Sequence, residues 1–215
     1  MGKRLKYTAI ASIWGLSLLG CQNTPETTTE ASPPVTNSQS SWTTIQGEGV
    51  SLALPPQYEG GNPSTDLDDI EARLQELGPR FAQQLQALRQ NPEAIALFAF
   101  DPNLTSPNRM TSVNIIPVEP RMDRDLATFV EETALLLEAG VSILDQGMAT
   151  VGDRDLGRMI VQQDANGTTI QPLMYFVQEE EQSWIVMYTT TAAEFEQRLP
   201  DFEKSIASLS FVGGD

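Results

Sequence analysis

Apolar residues fall at every second position in Val50, Leu52 and Leu54, between Gly49 and Pro55-Pro56. A period of two sets one face of a strand on a core, and the prolines stop it. The period then lengthens. Leu67, Ile70, Leu74, Leu77, Phe81, Leu85 and Leu88 follow at intervals of three or four, one apolar stripe along a helix. Thr65 is the expected cap of that helix. Gly78-Pro79 predicts two helices or a sharp kink, with Pro79 in the first turn of the second piece. Ala94 to Phe100 is almost wholly apolar, as a buried strand is. Thr111 to Val118 continues the sheet, with Val113 and Ile115 on one face. Asp123 is the expected cap of a helix through Leu126, Phe129, Val130, Ala134 and Leu137, closed by Gly140.

The C-terminal third reads as an antiparallel meander. Val141 to Ala149 and Leu156 to Gln163 are expected strands, and Asn166-Gly167 is a tight-turn signal because both residues accept positive φ. Leu173 to Gln178 and Ser183 to Thr190 pair around the polar turn Glu179-Glu180-Glu181. A last helix is expected from Thr191, with Glu194 completing a capping box. Phe195, Leu199, Phe202 and Ile206 form its inner stripe, and Pro200 is expected to kink or restart it. The order is about two strands, a helix, two strands, a helix, four strands and a helix. This predicts an α+β fold, an α/β/α sandwich around a mainly antiparallel sheet, without an internal repeat or heptad.

The N-terminus follows a different pattern. Lys3, Arg4 and Lys6 precede a short apolar run from Tyr7 to Leu19. A transmembrane helix needs about 20 apolar residues, so a cleaved export signal fits better. Leu18-Leu19-Gly20-Cys21 resembles a bacterial lipobox. The resemblance implies a signal peptide over 1–20, lipid on the new N-terminal Cys21, and stable anchoring by two or more acyl chains. Gln22 is not the aspartate that retains some lipoproteins at an inner membrane. Gln22 to Ser41 is rich in Thr, Ser, Pro and Asn, too polar to bury a core. Residues 21–41 are therefore read as a flexible tether, reaching roughly 25 Å as a random coil. The folded domain is expected over 42–212.

Charge and missing residue types narrow the chemistry. The chain has 13 basic and 29 acidic residues. Loss of Lys3, Arg4 and Lys6 with the signal takes the formal net charge from −16 to −19. Such a chain repels nucleic acid, whose binding rests on phosphate neutralisation, and it repels anionic lipid. There is no histidine, and Cys21 is the only cysteine. Ser-His and Cys-His nucleophiles and His/Cys zinc sites are excluded. Chemistry built on carboxylates, lysine or tyrosine stays open.

Several segments together resemble the Mog/PsbP/DcrB-like superfamily. They are Gly49 to Pro55, Phe98-Ala99-Phe100-Asp101, Asn114-Ile115-Ile116, Gly157 to Val161, Tyr175-Phe176-Val177, Trp184 to Thr190, and Phe195 to Phe211. The likeness covers most of Gly49 to Val212. It implies an α/β/α sandwich and a mostly non-enzymatic membership: extrinsic photosystem subunits and assembly factors, envelope lipoproteins, and a small-GTPase binder. It carries no catalytic set. Trp184 and Tyr188 alternate on one strand face and read as core. The chain departs from the family pattern at Pro56-Gln57-Tyr58 and in the length of its helical segment from Asp66 to Arg89.

Three acidic groups are candidates for chemistry. Asp66, Asp68, Asp69 and Glu71 open a helix, where carboxylates complement the dipole. Glu179-Glu180-Glu181 reads as a solvated turn, and Asp153 and Asp155 flank Arg154 in another. None has calcium-loop spacing. No cofactor, catalytic residue or metal ligand is assigned. The expectation is a non-catalytic, membrane-anchored lipoprotein facing a periplasm or thylakoid lumen. It would bind or help assemble a membrane protein complex, with a photosystem as one setting. A small-ligand or calcium binder and a carboxylate-based hydrolase are the alternatives.

Overall fold

The computed structural model describes residues 41–103, 109–118, 125–165, 167–179 and 182–211. Cys21, the segment up to residue 40, Asp123, Asn166, Glu180 and Glu181 lie outside the described residues. The elements run β1 (Thr43–Gln46), β2 (Val50–Leu54), β3 (Glu59–Gly61), α1 (Pro63–Glu76), α2 (Ala82–Gln90), β4 (Leu97–Phe100), β5 (Ser112–Val118), α3 (Leu126–Leu135), β6 (Val141–Val151), β7 (Arg154–Ala165), β8 (Thr168–Gln178), β9 (Ser183–Thr191), α4 (Phe195–Ala207) and β10 (Ser210–Phe211). A seven-stranded sheet has the order β3-β4-β5-β9-β8-β7-β6, and a three-stranded sheet the order β1-β2-β10. Their pairings are antiparallel.

Alternation along the strands builds two cores on the two faces of the large sheet. On one face Leu97, Val113, Ile115, Tyr175, Val186 and Tyr188 meet Val50, Leu52 and Leu54 of β2 and Phe195, Phe202 and Ile206 of α4. Tyr188 stacks on Phe202 at 4.8 Å and donates its hydroxyl to Ser205 Oγ at 3.0 Å. On the other face Met159, Val161, Met174 and Phe176 lie under Phe129 and Val130 of α3. Beside them, Phe98 and Phe100 lie under Ile70, Leu74, Phe81, Leu85 and Leu88 of α1 and α2. The result is the α+β sandwich, helices on both faces of a mainly antiparallel sheet.

The pattern of apolar positions survives, and several element ends move. Asn62, not Thr65, caps α1, accepting from Ser64 N at 2.9 Å. Pro63 occupies the first helical turn, where it sacrifices no hydrogen bond, and Asp66 reaches back to Asn62 N at 2.9 Å. Asp125 caps α3, accepting from both Thr128 N and Thr128 Oγ1 at 2.9 Å. That helix stops at Leu135, before Gly140. Residues 92–94 form a 3₁₀ turn rather than strand. Thr191 ends β9 instead of capping α4, and the Glu194 carboxylate faces Arg198 at 3.8 Å. The helix passes Pro200 without a restart. Pro200 and Glu196 sit on its exposed side, where water can serve the carbonyl that loses its partner. Arg154 and Asp155 belong to β7, and the turn itself is Gly152-Asp153. Gly78 breaks the helical stripe at φ 110°, and Pro79 opens the turn into α2.

Candidate interaction surface

One edge of the large sheet is open. The strand β6 runs 11 residues and pairs with β7 along one side. Its other side has no strand partner among the described residues. At about 3.3 Å per residue it presents roughly 36 Å of unpaired backbone. The register puts Ile143 and Met148 on the α3 face, opposite Val161 and Gly157. Leu144 sits at a bulge between Ile143 and Asp145. On that face α3 covers β7 and β8 through Phe129 and Val130, and then ends. The helix also lies beside β6, and Val141 at the start of that strand packs on its core, but residues 142–148 and the helix end at Leu135 and Leu136 stay exposed.

The exposed apolar residues are therefore concentrated here. Relative exposure is 85% at Leu135, 55% at Leu136, 41% at Ile143, 51% at Leu144 and 49% at Met148. These come from the end of α3 and from β6, adjacent parts of one surface. Natural edges are usually blunted by lysine, proline or an inward charge. This strand contains no Lys, Arg or Pro. Its one charged residue, Asp145, is bonded to Arg158 of β7. Exposed apolar residues beside a strand edge with no partner among the described residues make this the candidate binding surface.

The ends of that edge are acidic. Glu138 lies in the turn before β6, its carbonyl accepting from Val141 N at 3.2 Å. Asp153 and Asp155 lie at the other end, all three exposed. The intervening Arg154 turns away, donating to the Leu209 carbonyl at 2.9 Å and lying over the Phe211 ring at 5.5 Å.

A buried polar cluster occupies a different place. Asp101, 2% exposed, follows β4 and accepts from Arg198 Nη1 of α4 at 2.7 Å, and from Asn103 N and Nδ2 at 2.9 and 3.0 Å. Burial alone depresses the Arg198 guanidinium, yet its bond to Asp101 and the carboxylates of Asp101 and Glu194 hold it above its usual value. Burial pushes the Tyr58 phenol well up, with Arg198 opposing. Two carboxylates share one guanidinium, which ties the end of β4 to α4 and the segment before β3.

Of the acidic groups singled out in the sequence, Asp66, Glu71 and Asp155 serve the fold, while Asp68, Asp69 and Asp153 stand exposed. Asp66 closes the cap of α1, and Glu71 accepts from Arg89 of α2 and from Gln75 at 2.7 Å. Asp155 accepts from Thr150 Oγ1 at 2.8 Å across the β6–β7 hairpin. Glu179 N donates to the Gln182 carbonyl at 2.9 Å in its turn. Among the described residues no three carboxylates gather as a metal site, and no helix is long and apolar enough to cross a membrane. Trp184 and Tyr188 are core, as their spacing predicts. Sequence reasoning placed the strand at β6 but missed its exposure, and missed the Asp101–Arg198 pair, 97 residues apart.

The chain matches no family model and none of the curated proteins. Solved structures do match. Cyanobacterial PsbP from Synechocystis sp. PCC 6803 superposes with a TM-score of 0.50 at 9% identity, over 84% of this chain and 98% of that one. LpqN of Mycobacterium tuberculosis, described as involved in cell envelope biogenesis, gives 0.47 at 12% identity, over 80% and 91%. The Saccharomyces cerevisiae Ran-binding protein Mog1p gives 0.45 at 11%, over 80% and 97%. The likeness to PsbP identifies the fold as PsbP-like.

Proposed function

We propose that this chain is a lipid-anchored, non-catalytic protein of a bacterial envelope or thylakoid membrane that binds, or helps assemble, a membrane protein complex. The observation that carries the protein-binding part is the open β6 edge with its exposed Leu135, Leu136, Ile143, Leu144 and Met148. The anchoring part rests on Leu18-Leu19-Gly20-Cys21 and the polar segment behind it. The absence of histidine and of any thiol besides Cys21 supports a non-catalytic role. The sequence resemblance to extrinsic photosystem subunits makes a photosynthetic membrane one setting.

The test is a pull-down of tagged full-length protein from native membranes after mild cross-linking. Cys21→Ser and the paired substitution Leu144→Lys/Met148→Lys serve as controls. One membrane complex should be enriched with the wild type and weakened by each control. Enrichment unchanged by both controls would sink the proposal.

A further inference from the structure

The apolar edge could receive a second copy, a lipid surface or a strand from another protein, and the charges around it separate these. In an antiparallel pairing of β6 with its own copy over the full strand, the start of one strand meets the end of the other. Glu138 would then approach Asp153 and Asp155 of the second copy, acid against acid. Arg154, the cation that could relieve this, is committed to the Leu209 carbonyl. An anionic bilayer meets the same acids and a chain of formal charge −16. A strand that is apolar along one face and basic at both ends meets no such conflict. Its backbone pairs with the free N–H and C=O groups of β6. Its apolar side chains cover Ile143 and Met148, and its end cations meet Glu138 on one side and Asp153 with Asp155 on the other.

We infer that β6 takes up, as an eighth strand of the large sheet, an extended segment of a partner protein whose apolar residues alternate and whose two ends carry Lys or Arg. This inference rests on the protein-binding role proposed above. Main-chain pairing gives it affinity, and the acidic ends select the partner and speed encounter, so binding weakens as salt rises.

The probe is a synthetic peptide of alternating valine and threonine with a lysine pair at each end. Its counterpart carries glutamate pairs. Hydrogen exchange is followed on the detergent-solubilised full-length protein. At about ten times its Kd, the lysine peptide should slow exchange over 141–151 about tenfold. The glutamate peptide should leave it unchanged. Leu144→Lys/Met148→Lys, at two exposed positions, should keep the far-ultraviolet circular dichroism of the wild type and lose most of that protection. Four results overturn the inference: no protection by the lysine peptide, equal protection by both peptides, peptide-free protection that grows with protein concentration, or protection by phosphatidylcholine vesicles alone. If the peptide fails while the double substitution still abolishes capture of the membrane complex, only strand addition falls. If capture is also unaffected, the protein-binding role falls with it.

Discussion

Gly157 should tolerate no side chain, because α3 rests on it. A Cβ built at this position lies 2.5 Å from Val130 Cγ2, 3.0 Å from Phe176 Cβ and 3.3 Å from Phe176 Cδ2. Ordinary carbon contacts are about 3.5–4.0 Å, so the Val130 methyl must retreat by roughly 1 Å. It cannot swing away cheaply. Val130 is buried, its β-branch favours one rotamer in a helix, and its neighbour Phe129 is held edge-on against Phe176 at 5.1 Å. The helix itself must lift from the sheet. Overpacking of this kind costs about 1–3 kcal/mol. Val130→Ala alone removes two methyl groups' worth of burial, about 1.6 kcal/mol at 0.8 per group. When Gly157→Ala and Val130→Ala are combined, the methyl added to the strand occupies the space that the valine vacated. The cost of the pair should therefore fall short of the sum of the singles by about 1–2 kcal/mol. Urea unfolding followed by tryptophan fluorescence reads all three variants. A Gly157→Ala cost below about 0.5 kcal/mol, or strict additivity, would refute the packing described.

Three further outcomes follow from the core and its polar tie. Asp101→Ala leaves the Arg198 charge and the Asn103 donors facing a buried vacancy, and should cost about 3–5 kcal/mol in urea unfolding. Arg198→Met on top of it should add little, and a loss from Asp101→Ala under about 1 kcal/mol would contradict the ion-pair account. Phe202→Ala, removing a fully buried ring stacked on Tyr188, should cost about 3–5 kcal/mol by the same measurement, and a loss near zero would contradict the stacking. Burial raises the phenols of Tyr58, Tyr175 and Tyr188, so the unfolded chain surrenders its protons first. Their contribution is fully present below the unfolded value of about 10 and is lost as pH rises above it. With no histidine to titrate, stability should stay level near neutrality. Urea midpoints read alongside phenolate absorbance check this, and a decline already complete before phenolate forms would contradict it.

What was legible in the sequence was whatever local periodicity encodes. Val50, Leu52 and Leu54 had to share a face, and the stripe from Leu67 to Leu88 had to be helical and broken at Gly78-Pro79. Cap residues were harder, because Thr65, Asp123 and Thr191 offered hydroxyls or carboxylates as suitable as the groups that do the capping. Pro63 decided the first case, by opening the helix earlier than its apolar stripe. The strand β3 left no apolar signal at all. It is Glu59-Gly60-Gly61, and Gly60 lies so close to β4 that a Cβ there would collide with the Phe98 carbonyl oxygen. The candidate surface was hidden for a related reason. Ile143, Leu144 and Met148 read the same whether their strand is central or at an edge. Only the order of strands in the sheet, set by contacts distant in sequence, leaves them in water. The Asp101–Arg198 tie is likewise a product of topology, since the local partners Asn103 and Glu194 do not point to a contact 97 residues away.

The most direct measurement is site-specific photocross-linking in native membranes. A photoreactive residue replaces Met148 on the exposed edge in one full-length protein, and Gln75 on the exposed side of α1 in another. Binding through β6 predicts a discrete cross-linked membrane protein from position 148 and none from 75. Equal products from both positions, or none from 148 while Cys21-dependent capture of a complex persists, would contradict it.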